Sequence, residues 1–219
     1  MKLLLLITAI SGIAVAQDKP VPVEQEPHHR TVLQNSYLQV FRVKLAPGEN
    51  SEMHTHAHND AAVRLSNAKV RVDLPGKPNA AEEEVHQGAV SARTNEPNAF
   101  THKVNNIGAT PFDVLDIQIL KRPDGPEVKA FATPAAENPS MRVYRYELSP
   151  GESSPQHSHE RPYLVVAAND MNLKMSSSDG RSMEDAPKAG DLHWVDRKLT
   201  HTLTNTGTKT AVIAEIELK

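Results

Sequence analysis

Residues 40–56 read VFRVKLAPGENSEMHTH, and residues 143–159 read VYRYELSPGESSPQHSH. Nine of these seventeen positions are identical without a gap. Each stretch is followed by a second match, HKVNNIG at 102–108 and HTLTNTG at 201–207. Similarity repeated in the same order means one structural module used twice. Between the copies, residues 121–140 are rich in Pro and Ala (RPDGP, ATPAAENP) and read as a connector. The expected organisation is a leader at 1–16, a first domain at 17–122, a linker at 123–139 and a second domain at 140–219.

Each module reads as β-structure. Phe41, Val43 and Leu45 alternate with polar residues, as do Tyr144, Tyr146 and Leu148. This is the period of a half-buried strand. Pro47-Gly48 and Pro150-Gly151 then supply turns. Val70, Val72 and Leu74 mark a further strand, as do residues 114–120 and 211–218. Helical periodicity is weak throughout. Short strands separated by turn signals argue for an all-β barrel or sandwich.

The chain has eleven His and no Cys, so imidazole is its main metal donor and thiolate is excluded. Alternate residues of a strand share a face. His54 and His56 therefore point one way, and so do His157 and His159. A third imidazole returns from a later strand in each copy, His102 and His201. Three neutral imidazoles on two strands form an open site for a divalent transition metal such as Fe, Mn, Zn, Ni or Cu.

These spacings resemble the cupin superfamily. Its first motif, G-x5-H-x-H-x3/4-E-x6-G, is followed by Gly48, His54, His56 and Asp60, and again by Gly151, His157, His159 and Tyr163. Asn67 and Asp170 stand at the closing glycine, and both residue types can adopt a left-handed turn. The second motif, G-x5-P-x-G-x2-H-x3-N, keeps Gly190, His201 and Asn205, with Asp196 and Lys198 in place of Pro and Gly. The first copy keeps Pro97, Ala99, His102 and Asn106, with Gly88 three residues early. The resemblance implies two tandem cupin barrels (double-stranded β-helices, or jelly rolls), each with a metal centre. Asp60, where the family usually has Glu, is expected to join His54, His56 and His102, with a turn cap or a pair with Arg64 as the alternatives. Tyr163 is a poor ligand unless ionised, so the second centre is expected to be His157, His159 and His201 alone, or to use Glu160, whose parity points the wrong way. His58 has inward parity and is a further candidate at the first centre.

Other features have blander readings. His28-His29 could be a metal-scavenging pair but reads rather as a solvated arm, and His86 as part of a solvated acidic loop (EEEVH). Trp194 reads as core, and Met171, Met175 and Met183 as strand-face packing. Lys2, an apolar run from Leu3 to Ile13 and Ala14-Val15-Ala16 read as a secretory signal with Gln17 as the mature start. A periplasmic or secreted protein is expected, with no membrane contact after cleavage. The net charge of −3, with no basic cluster, argues against nucleic acid and leaves a small-molecule ligand or substrate as the expected partner. Cupins often pair by sheet edges, so a homodimer is compatible with the resemblance. The function readings are a metal-dependent, dioxygenase-like enzyme, as in bicupins of the quercetinase type; a non-catalytic metal or small-ligand binding protein; and a structural bicupin with vestigial sites.

Overall fold

The computed structural model describes residues 19–219, so the expected leader and cleavage site lie outside the described residues. The described residues hold nineteen strands, one short 3-10 turn at Val23–Gln25 and no α-helix. The first module contains β1 (Val21–Pro22), β2 (His29–Gln34), β3 (Leu38–Leu45), β4 (His54–His56), β5 (Asp60–Arg64), β6 (Ala68–Leu74), β7 (Lys77–Val85), β8 (Val90–Arg93), β9 (Phe100–Asn106) and β10 (Phe112–Ile119). The second contains β11 (Ala136–Asn138), β12 (Met141–Leu148), β13 (His157–His159), β14 (Tyr163–Ala167), β15 (Leu173–Ser177), β16 (Ser182–Asp185), β17 (Leu192–Val195), β18 (Leu199–Asn205) and β19 (Ala211–Leu218).

Each module is a barrel of two sheets. The first combines the orders β1-β4-β9-β6-β7 and β2-β3-β10-β5-β8, the second β13-β18-β15-β16 and β11-β12-β19-β14-β17. Register confirms the repeat residue by residue. His54 pairs with His102, and His157 with His201. Phe41 pairs with Asp116, and its counterpart Tyr144 with Glu215. Asp116 and Glu215 are therefore equivalent, as are Gln118 and Glu217. The Pro-Gly turns form as expected, with Gly48 at φ 83° and Gly151 at φ 78°, the left-handed value that the third residue of a type II turn requires.

The barrels pack sheet to sheet. Leu38, Val40, Leu115 and Ile117 of the first share one apolar cluster with Met141, Leu164, Ile216 and Leu218 of the second. Burying a side chain of this size contributes about 1.5–3 kcal/mol. β3, β10, β12 and β19 are therefore buried largely on both faces, not on one as the alternation suggested. Polar links fix the docking. Asn138 Nδ2 donates to the carbonyls of Asp60 (3.0 Å) and Arg93 (2.9 Å), and Asn59 Nδ2 donates to Ser140 Oγ (2.9 Å). Trp194 stacks on Tyr37 across this interface. The stretch expected to be linker already enters the second fold at β11, which pairs with β12.

Two local readings are corrected. Glu82 to Glu84 are not a loop but lie in β7, an exposed edge strand paired with β6; Lys69 faces Glu82 and Glu84, which keeps the row of charges tolerable. Asn67 and Asp170 do not adopt a left-handed conformation. Their side chains cap turns instead, accepting from the backbone N–H of Gln87 (2.9 Å) and Ala189 (3.0 Å).

Candidate metal centres

In the second barrel, β13 carries His157 and His159 on its inward face, and His201 enters from the neighbouring β18. A fourth group meets them from the opposite sheet. Glu215 on β19 lies with one carboxylate oxygen 2.9 Å from His157 Nε2 and 3.2 Å from His159 Nε2, and with the other 3.3 Å from His201 Nε2. All four side chains are buried. His157 Nδ1 donates to the Pro155 carbonyl (2.9 Å), which leaves Nε2 to face inward. Burial opposes ionisation of Glu215, but the three imidazoles hold its carboxyl well below the usual range. Burial likewise opposes the charged form of His159, yet Glu215 and Glu217 raise it to about 9.

The donor set fits a metal. His201 Nε2 and Glu215 Oε1 are buried and without hydrogen-bond partners, although they face each other. Such orphaned groups are costly in a closed interior. An ion among three imidazoles and one carboxylate would satisfy them. Tyr163 is not part of this set. Its ring stacks on His159 with centroids 3.7 Å apart, and burial pushes its unpartnered hydroxyl above the ordinary phenol range. Glu160 is half exposed and pairs with Lys198 outside the barrel. Of the four, His201 reaches the wall of a largely apolar cavity of about 290 Å³, lined also by Tyr163, Met171, Leu173, Met175, Val195 and Leu203.

The first barrel has the same skeleton with other groups. His54 Nδ1 donates to the Glu52 carbonyl (2.8 Å), and its buried Nε2 has no partner. His56 Nε2 and His102 Nε2 are 3.1 Å apart. Burial and the neighbouring imidazoles push His54 down to about 3, so it is neutral. Asp60 does not approach this side. Its carboxylate lies 3.6 Å from His56 Nδ1, the nitrogen turned away from His102, and accepts from Asn95 Nδ2 (2.7 Å). Asp116, equivalent to Glu215, is 3.4 Å from the same Nδ1. Burial and Asp116 raise Asp60 to about 6; for Asp116, burial is outweighed by His56, which holds it low. Arg64 does not pair with Asp60; its guanidinium donates to Ser91 Oγ. The cavity here is smaller, about 120 Å³, with Arg64, Glu83 and Arg93 in its wall.

His58 does not point inward. β4 ends at His56, so strand parity stops there, and His58 pairs with Glu96 near the surface (3.2 Å). His29, by contrast, is not on a solvated arm. β2 is zipped to β3, and the buried His29 ring lies 4.5 Å from that of His54. Glu26 anchors it, accepting from His29 Nδ1 at 2.6 Å.

No family model matches the sequence, and no curated protein does. By shape, the chain is similar to AerE from Microcystis aeruginosa, with a TM-score of 0.57 and 12% identity over 89% of this chain and 98% of that one. It is also similar to salicylate 1,2-dioxygenase from Pseudoaminobacter salicylatoxidans, solved as a mutant with gentisate (TM-score 0.55, 10% identity, 90% and 76% of the two chains). A third is the oxalate decarboxylase of Bacillus subtilis, a protein with Mn(II) centres (TM-score 0.52, 14% identity, 84% and 69%). Identities this low carry the fold alone. Taken with the paired registers and the two histidine sets, they show a cupin-like fold: two β-barrels in tandem, each enclosing buried His and acidic groups that could hold a metal.

Proposed function

We propose that the chain is an exported, metal-dependent bicupin enzyme acting on a small molecule, with the second barrel as its working centre. The observation that carries this reading is the convergence of three imidazole Nε2 atoms on the Glu215 carboxylate beside an apolar cavity. Ligands would be His157, His159, His201 and Glu215 there, and His54, His56 and His102 in the first barrel. Asp60 would orient His56 through Nδ1 and leave its Nε2 as the donor. A divalent transition metal, when bound, would supply Lewis acidity and, for Fe or Mn, redox capacity.

The chain's own groups do the rest. The Pro155 carbonyl holds His157 in the tautomer that presents Nε2, and Glu217 restrains His159 through Nδ1 (3.3 Å). Tyr163 keeps its proton at neutral pH and offers a hydroxyl donor inside the barrel. The walls of Met, Val, Leu and Ile, with Asp185, Asp191 and His193 also in the lining, suit a small, mostly apolar ligand with a polar head; about 290 Å³ is at the low end for ligand pockets. Oxygenase chemistry is the reaction class we favour. Export rests on Lys2, the apolar run and Ala14-Val15-Ala16. The smaller first cavity favours a binding or structural role for that barrel.

Elemental analysis of the exported protein tests this, beside variants lacking His54, His56 and His102 or His157, His159 and His201. Metal lost barrel by barrel is expected, with oxygen uptake on a panel of small phenolic and carboxylic acids abolished by the second set. Absence of metal after repletion would sink the metal reading, and metal without turnover would leave a binding protein.

A further inference from the structure

We propose that the Glu26–His29 segment completes a four-imidazole metal centre in the first barrel, formed by His29, His54, His56 and His102, with Zn(II) or Cu(II) as its ion. This rests on reading the first barrel as a metal centre and names its donor set.

The geometry joins the rings in two overlapping sets, His29 with His54 and His56, and His102 with the same two. His29 and His54 centroids are 4.5 Å apart, His54 and His102 4.5 Å, and His56 and His102 5.1 Å. One ring nitrogen each from His29, His54 and His56 lie within 4.8 Å of one another. The orphaned, fully buried Nε2 of His54 stands among them.

Glu26 is built to present His29. Its side chain is 0% exposed and accepts at 2.6 Å from His29 Nδ1, at 2.9 Å from His28 Nδ1, and from the backbone N–H groups of His28, His29 and Glu52. A carboxylate on one imidazole nitrogen fixes the tautomer and leaves the other nitrogen as donor, the arrangement found behind metal-bound histidines. The bond to Glu52 also ties this segment to the lead-in of β4, two residues before His54. The second barrel has no counterpart. There the phenyl ring of Phe131 stacks on His157, the residue equivalent to His54, at 4.9 Å.

The donor sets therefore differ in kind. Asp60 and Asp116 both meet His56 at Nδ1, on the far side from His102. The first centre is left with four imidazole nitrogens as donors, and the second has three nitrogens and a carboxylate oxygen. Imidazole suits Zn, Cu, Fe and Ni, among which the order of divalent affinities puts Cu first, whereas a carboxylate admits Mn.

The test is Cu(II) electron paramagnetic resonance and Zn(II) titration on the full chain with the second centre disabled by His157→Ala and His201→Ala. A four-nitrogen superhyperfine pattern is expected, reduced to three nitrogens by His29→Ala. His29→Gln guards against a folding artefact, and the count in the parent needs no change at residue 29. Glu26→Gln is expected to weaken Zn(II) binding by about 10–100-fold. A three-nitrogen parent spectrum with unaltered Zn(II) affinity on replacing His29 would overturn the proposal and leave a three-histidine centre standing. Failure of the first barrel to bind either ion would remove both.

Discussion

His201 Nε2 lies 3.3 Å from Glu215 Oε1, and neither buried atom has a hydrogen-bond partner. The two residues come from opposite sheets of the second barrel, His201 from β18 and Glu215 from β19. Their encounter closes the barrel around an unmet donor set. A metal would engage both atoms, so Glu215→Gln is expected to lower metal occupancy of the second barrel and spare the first. In the metal-free protein the same change leaves His159 with Glu217 as its anionic partner. It should cost about 1.5–3 kcal/mol, the worth of hydrogen bonds to a charged group. Metal analysis and denaturant unfolding read the two effects separately.

Metal uptake by the second barrel should depend on pH. Glu215 and Glu217 outweigh burial and raise His159 to about 9, so below that pH the free site holds a proton that a metal must displace. Apparent affinity is expected to fall about tenfold for each unit below pH 9, with one proton released per metal bound. Titrations at pH 6, 7 and 8 in buffers of different ionisation enthalpy would measure both. A flat profile would mean that metal displaces no proton from His159, either because the free site leaves it neutral or because it is not a ligand.

Glu215 was hidden in the sequence for a physical reason. Residues 211–218 read AVIAEIEL, and a half-buried strand with that pattern would turn its glutamates to water. The other barrel buries the opposite face, Ala214, Ile216 and Leu218, and so sends Glu215 and Glu217 inward. No local pattern reports that partner surface. The histidine triads were legible because an H-x-H pair needs only strand parity and the repeat supplies the third member. His58 misled because parity ends with its strand, and His29 read as a solvated arm because its burial depends on β2 pairing with β3 and on Glu26 behind it.

The inter-barrel cluster gives a prediction independent of the sites. Ile216 is fully buried between the barrels. Ile216→Ala removes several methyl groups from a packed interior and is expected to cost about 2–5 kcal/mol. Because Glu215 and Glu217 flank it on the same strand, the change should also loosen the second centre. Urea unfolding measures the first effect. The second would appear as weaker metal retention on dialysis, and retention equal to wild type would show that β19 holds its register without this contact.

Glu26 predicts an acid limit to stability. Burial opposes its charge, but its bonds from His29, His28 and the Glu52 N–H prevail and hold the carboxyl far below the ordinary glutamate value of about 4.3. A carboxylate depressed on folding adds stability above its unfolded pKa and loses it as pH falls through the folded value. Glu26→Gln should therefore destabilise the metal-free protein by about 1.5–3 kcal/mol at pH 7, the worth of hydrogen bonds to a charged group. The gap between wild type and variant should hold down to about pH 5 and shrink below about pH 4. Urea midpoints across that range would show it. A gap that stayed constant down to pH 3 would mean that Glu26 acts by shape alone and not by charge.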